Sequence, residues 1–127
     1  MPDMKYGDSQ IARSYSKARN YVEVNQTAVK EMHRQVGDLV LDEKGLAQRG
    51  LLVRHLVLPE NLAGTDEVLR FIAHEISSDT YLNLMDQYRP CYRADEYPPL
   101  NRPITAEEYR VAVALAKHYG LQRLDRR

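Results

Sequence analysis

The sequence predicts an α/β fold with parallel strands. Three observations point to it. Leu51–Leu58 is a nearly continuous apolar run, as expected of a strand covered on both faces. Pro59 ends it, and Thr65 then opens an amphipathic helix. A second apolar run, TYLNLM at 80–85, and a second capped helix follow. Strands alternating with helices imply parallel strands joined by right-handed crossovers.

In chain order, residues 1–6 are too few for an element and read as the trailing end of something. Asn20–Val36 reads as a helix. Asn20 is the candidate N-cap with Glu23 three residues on, and Tyr21, Val24, Ala28 and Met32 recur at helical spacing. Gly37 is its stop. Residues 38–50 read as a loop or short hairpin. In the helix after Thr65, Asp66 and Glu67 favour the first turn. Val68, Leu69, Ile72, Ala73 and Ile76 form its inward stripe. Residues 87–104 make a long loop with four prolines and three tyrosines, the composition of an ordered lid. Thr105 and Glu108 form a capping box for the last helix, whose core face is Tyr109, Ala112, Val113 and Ala116 and which Gly120 ends. Two strands make a poor sheet. The arithmetic implies a piece of a larger α/β structure, or a domain completed by a partner.

Composition excludes several classes. Eighteen basic and 18 acidic residues balance, so no electrostatic case exists for nucleic acid or an acidic membrane surface. Arg123, Arg126 and Arg127 read as a solvated end. No stretch reaches the roughly 18 apolar residues of a membrane span. One cysteine, Cys91, forbids an internal disulfide and suggests a cytosolic protein. Phosphate-binding GxxxxGK[ST], GxGxxG and GxSxG patterns are absent.

In parallel α/β folds, functional groups lie beyond the carboxyl ends of the strands. Three such places are legible. In PDMKYGD, Asp3 and Lys5 point the same way, a pairing suited to a zwitterion. In the first apolar run, Leu52, Arg54, Leu56 and Leu58 share one face and Val53, His55 and Val57 the other. A buried Arg54 needs an anion, either a ligand carboxylate or a structural Asp or Glu. His55 reads as a hydrogen-bonded packing residue. After the second run, Asn83, Met85 and Gln87 share one face, and Asp86 and Tyr88 the other. The loop adds Arg89, Cys91, Tyr92 and Tyr97 as possible substrate contacts, with Cys91 reading as a loop thiol rather than a nucleophile.

PDMKYGD, EMHRQVGDL, RGLLVRHLVLPENLAGTDEVLRFIAHEIS, YLNLMDQYRPCY and YPPLNRPITAEEYRVAVALAKHYGL together resemble the C-terminal part of radical S-adenosylmethionine (SAM) proteins. The branch is the one labelled pyruvate formate-lyase activating enzyme-like. The resemblance covers essentially all of residues 1–127. It implies the C-terminal part of a partial (β/α)6 barrel, about two to three βα units, from the end of the fourth strand through the sixth unit. It implies a 4Fe–4S cluster and SAM as cofactors of the complete protein, with neither expected bound to this chain alone. The cluster motif CxxxCxxC is absent, so the chain alone is expected to be inactive. The resemblance also implies that Asp3, Lys5, Arg54 and Leu56 contact SAM. Where related enzymes carry a His at the end of the sixth strand, this chain has Tyr88 or Gln87. A glycyl-radical-type protein or a small molecule is the expected substrate. A rival reading is a stand-alone interaction module that self-associates through open strand edges. A small enzyme using Cys91 is the least favoured.

Overall fold

The computed structural model describes residues 1–90 and 94–125. The element order is α1 (Ser9–Ser16), α2 (Tyr21–Val36), a hairpin of β1 (Val40–Leu41) and β2 (Ala47–Arg49), β3 (Leu52–Leu56), α3 (Thr65–Phe71), β4 (Tyr81–Met85), α4 (Ala106–His118) and β5 (Leu124–Asp125). Strands β3, β4 and β5 form a parallel sheet in that order. Pro2–Met4 lies along the free side of β3 in the same direction. Asp3 bridges Arg54, Met4 N–H donates to Arg54 O at 2.8 Å, and Arg54 N–H donates to Pro2 O at 2.9 Å. The α/β class is as expected. Among the described residues the sheet is open and does not close into a barrel.

Helices cover one face of this sheet. Val53, Val57, Leu82 and Leu84 are buried there in one cluster with Val29 of α2, Leu69 of α3, Ile72 of the π-helical turn (Ile72–Ile76) that continues it, and Ala112 and Ala116 of α4. The two alanines let α4 lie close to the strands. The opposite face carries Leu52, Arg54, Leu56 and Asn83, all only half-buried. The expectation of a strand covered on both faces is therefore corrected. The apolar run reads as two-sided, but among the described residues the helices pack on one side of it, and the other side lines a cleft.

Several local expectations are also corrected. Asn20 has a left-handed backbone and makes no side-chain cap on α2. Ser9 takes the role: its Oγ accepts from Val22 N–H at 3.2 Å and donates to Glu23 Oε2 at 3.1 Å. Ser9 belongs to α1, which the sequence reading leaves unassigned. Asp8 caps that helix by accepting from Gln10 N–H at 2.7 Å, and Lys17 closes it in the left-handed region. Thr65 is likewise not a cap. Gly64 holds that position at φ 61°, and Asn61 Oδ1 accepts the Thr65 N–H at 3.2 Å, which frees the Thr65 hydroxyl for His55. On α2, Val24 and Met32 face outward, and the core residue is Val29. Periodicity found an apolar stripe there, but it is not the stripe that the core uses. Arg123 is not a solvated end: it stacks over Tyr81 at 5.4 Å, and its carbonyl accepts from Leu82 N–H at 2.9 Å in joining β5 to the sheet. Arg126 and Arg127 lie outside the described residues.

The capping box of α4 is present and does more than cap. Glu108 accepts from Thr105 N–H at 2.8 Å and Glu60 N–H at 2.7 Å, and it pairs with Arg102 at 2.9 Å. The Arg102 guanidinium beside it lowers its carboxyl pKa to about 2. Depression favours the charged form in the folded chain, so the stabilisation is present above the ordinary value of 4.5 and is lost as pH falls towards 2. Glu108→Gln is expected to destabilise the chain by about 1 kcal/mol at pH 7. Urea titrations at pH 7 and pH 3 check this, and the gap between variant and wild type should shrink at the lower pH. A gap that is the same at both would remove the ionic part of the argument.

Candidate functional site

A cleft of about 380 Å³ opens on the uncovered sheet face, at the carboxyl ends of β3 and β4. Its wall is built by sheet alternation. Arg54, Leu56 and Leu58 come from β3 and its continuation, and Met85 from the end of β4. Asp3 and Lys5 come from the neighbouring segment, separated by Met4, which is buried on the helix side. Tyr88 and Leu100 close one end, tied by a hydrogen bond from the Tyr88 hydroxyl to Leu100 O at 2.7 Å. Tyr6 and Ser16 add a rim from the α1 side, their hydroxyls 2.8 Å apart.

Of the six residues expected to contact a cofactor, the cleft brings together Asp3, Lys5, Arg54, Leu56 and Tyr88. Gln87 is exposed and does not line it. The facing of Tyr88 is corrected as well. β4 stops at Met85, strict alternation ends with it, and Tyr88 turns back to the side of Met85. Arg89 is exposed on the loop. Tyr97 does not line the cleft, but its ring meets Tyr15 of α1 edge-on at 5.9 Å. Cys91 and Tyr92 lie outside the described residues.

The charge arrangement is specific. Arg54 Nε lies 2.9 Å from Asp3 Oδ1. The contact is an ion pair by distance, yet its angle is too poor for a hydrogen bond, and the buried Nε has no other partner among the described residues. Asp3 is thus the structural anion that Arg54 requires. The Arg54 side chain is 38% exposed, and Lys5 is exposed. In register beside Arg54 stands Asn83, whose buried Oδ1 also has no partner among the described residues. A negative and two positive groups therefore sit at one end of a cleft whose aliphatic wall is Leu56, Leu58, Met85 and Leu100. Such a site suits a molecule with a zwitterionic end and an apolar or aromatic body.

His55 supports this wall from behind. It is fully buried. Nδ1 donates to Met4 O at 2.6 Å, and Nε2 accepts from the Thr65 hydroxyl at 2.9 Å. Burial lowers its pKa to about 4, so the ring is neutral. It is a packing residue that holds Asp3 and Lys5 in place through Met4. Among the described residues no group of three or more His, Cys, Asp or Glu could hold a metal ion, and no helix is long and apolar enough to cross a membrane.

Ser16 and Leu100 were not legible as site residues, because α1 and the fold-back of the loop carry no strand periodicity, and Tyr6 was missed because alternation from Asp3 and Lys5 puts it on the other face. Leu58 and Met85 could have been found from the alternation that placed Arg54 and Asn83.

No family model matches this chain, and no solved structure matches it. It is similar to an uncharacterized protein, MJ0674, of Methanocaldococcus jannaschii, with 34% identity over 122 residues. That alignment covers 95% of this chain and 32% of the relative. The chain spans about a third of the length of the curated relative it matches.

Proposed function

We propose that this chain is the C-terminal part of a radical SAM iron–sulfur oxidoreductase resembling pyruvate formate-lyase activating enzymes. The observation that carries the reading is the convergence of Asp3, Lys5, Arg54, Leu56 and Tyr88 on one cleft at the carboxyl ends of parallel strands. The residues fit the molecule. Lys5 and Arg54 offer donors to a carboxylate, Asp3 an acceptor to an ammonium or hydroxyl, and Leu56, Met85 and Leu100 an apolar surface for an adenine ring. The cluster does not fit this chain, since one cysteine cannot supply three thiolates. Its ligands belong to another part of the complete protein. When bound there, the cluster would supply the electron that cleaves SAM to methionine and a 5′-deoxyadenosyl radical. The part played by residues 1–127 is to bind and orient SAM, and to present the Pro/Tyr loop to a protein or small-molecule substrate. The site reads as part of a cytoplasmic enzyme's partial barrel.

Purified chain supplied with iron, sulfide, reductant and SAM is expected to form no 5′-deoxyadenosine above background. In the polypeptide that carries the cluster motif in frame with it, Lys5→Ala or Arg54→Ala should weaken SAM binding roughly 10- to 100-fold, the value of one charge-assisted contact. Calorimetric titration checks this. Cleavage by the chain alone at enzyme-like rates, or unchanged SAM affinity in both variants, would sink the reading.

A second reading is favoured by one observation, a parallel sheet that among the described residues stays open and does not close on itself. In it the chain is an interaction module that self-associates by edge pairing. Light scattering decides, because a strictly monomeric, cooperatively folding chain counts against it.

A further inference from the structure

A second concavity, of about 360 Å³, lies between the turn Pro59–Asn61, the first turn of α3, and α4. Its floor is apolar. Val57 and Leu58 come from the end of β3, Ala112 and Leu115 from α4, and Val111 stands on the lip, 51% exposed. On α4, Glu107, Val111 and Leu115 follow one another at i, i+4 spacing, in a row beside the core face of Ala112, Val113 and Ala116. The groove is fixed in shape. Glu60 and Asn61 both have left-handed backbone, φ 51° and 57°, and the turn is pinned where Glu60 N–H donates to Glu108 Oε2 at 2.7 Å.

The lining holds four carboxylates, Glu60, Asp66, Glu107 and Glu108, and no Lys, Arg or His. Capping accounts for Glu108, and a place in a first turn for Asp66 and Glu107. Neither accounts for Glu60, whose carboxylate makes no hydrogen bond or ion pair among the described residues, nor for the open apolar floor. Two guanidiniums stand near. Arg102 is engaged with both Glu108 oxygens and Arg110 with Glu107, while near Asp66 the charge of Arg70 is offset by Glu67. The rim therefore keeps an excess of negative charge. That charge stands at two ends. Glu60 and Glu108 meet beside the first turn of α4, which also carries Glu107, whereas Asp66 accepts from the Tyr119 hydroxyl at 2.5 Å, one turn beyond Leu115. Glu107 to Leu115 is about 12 Å along the helix.

We infer that this groove is a docking site for a basic amphipathic helix of a partner protein, one that carries apolar side chains between two Lys or Arg about 12 Å apart. Three features choose that occupant. The floor is apolar and both ends are negative, so a row of cation, apolar side chain and cation matches it throughout. The ridge of Glu107, Val111 and Leu115 is a helical surface, against which an i, i+4, i+8 row of a second helix packs. Among the described residues no strand edge lines the groove, so an extended segment would find no backbone pairing there, whereas a helix satisfies its own. Leu58 lines both this groove and the cleft on the open sheet face, so the bound helix stands beside the mouth of the cleft. The inference is independent of SAM chemistry.

The test titrates the 127-residue chain with an alanine-based helical peptide of about 15 residues that carries Leu at i+4 between Lys at i and i+8. Backbone amide shifts report where it binds. A Kd of roughly 100 µM or tighter at low salt is expected, with shifts centred on Val57, Leu58 and α4. A twin peptide with Glu for Lys, and another with Ser for Leu, should each bind about 10-fold or more weakly. Glu60→Lys with Glu107→Lys should weaken the first peptide about 10-fold and remove most of its salt dependence. Val111→Ser should weaken it severalfold and leave the salt dependence in place. All three positions are exposed, so these variants should keep the wild-type Tm within a few degrees. Val24→Ser, at an exposed valine of α2, should bind as wild type does. Equal binding of the Lys and Glu peptides would overturn the inference, as would no binding, shifts confined to other surfaces, or variants that leave affinity unchanged. A dimer of the chain that Val111→Ser dissolves would assign the groove to a second copy. Peptide binding by the chain that is lost in the polypeptide carrying the cluster motif would assign it to an intramolecular contact. Either result also overturns it. The functional proposal stands or falls separately, because none of the substituted residues lines the cleft.

Discussion

Replacing His55 by phenylalanine is expected to destabilise the chain by about 3 kcal/mol or more at pH 7.5. The ring fills a fully buried position between the sheet and α3, and both of its nitrogens are used. Phenylalanine has comparable bulk but leaves the Met4 carbonyl without a donor and the Thr65 hydroxyl without an acceptor. The same residue makes a pH prediction. Burial lowers its pKa from 6.5 to about 4 in the folded chain. The unfolded chain therefore binds a proton first as pH falls. Stability from this group is complete above pH 6.5 and declines as pH drops from 6.5 towards 4. The whole decline is of order 3 kcal/mol, from the free-energy value of a pKa unit. Urea titrations of wild type and His55→Phe at pH 7.5 and 5 check both parts. Wild type should lose stability relative to the variant, whereas parallel declines would mean that the ring is not held neutral. The effect extends to the cleft, because Met4 carries Asp3 and Lys5 on either side.

Gly7→Ala is expected to cost about 2–3 kcal/mol, although nothing at that position suggests a left-handed backbone. The reason is a close crossing of chains. A methyl on Gly7 would sit 2.5 Å from Gly64 O and 2.8 Å from Glu67 Cβ. Gly7 N–H donates to Ala63 O at 2.9 Å, so the two backbones are tied where they touch. Gly64 is bound by the same crossing, with a methyl there 2.9 Å from Gly7 Cα, and also by φ 61°. Gly45 separates the two causes. It has φ 80° but nothing within 4 Å, so Gly45→Ala carries only the left-handed penalty, about 1 kcal/mol. Thermal unfolding of the two variants should place Gly7→Ala well below Gly45→Ala. The reverse order would show that the crossing relaxes easily, and that it does not hold the Asp3–Lys5 segment against β3.

The cleft was partly legible because alternation along a strand is a rule of covalent geometry. Once β3 was recognised, Arg54, Leu56 and Leu58 had to share a face, and the segment spacing aligned Asp3 with Lys5. Tyr88 and Gln87 show where the rule stops. Past Met85 the backbone leaves the sheet, and a one-residue error in where it turns reverses the outcome. The caps divide in the same way. Thr105 with Glu108 is a local motif and formed as read. Asn20 and Thr65 carry the right side chains, but Ser9 and Asn61 displaced them because tertiary contacts brought better-placed oxygens.

What the sequence by itself determined is local and periodic: the α/β class, the places of the two principal strands and of three helices, the inward faces of α3 and α4, and the packed, hydrogen-bonded character of His55. These follow from side-chain spacing and cap chemistry within a few residues. The tertiary structure decided which apolar stripe of α2 faces the core, that residues 2–4 join the sheet, and that β5 adds a short third strand. It also decided that Asp3 is the partner of Arg54, 51 positions along the chain. Each of these is a choice between locally equivalent options. An apolar face cannot tell one neighbour from another, and an arginine accepts any anion within reach. Only the crossing of distant segments selects among them.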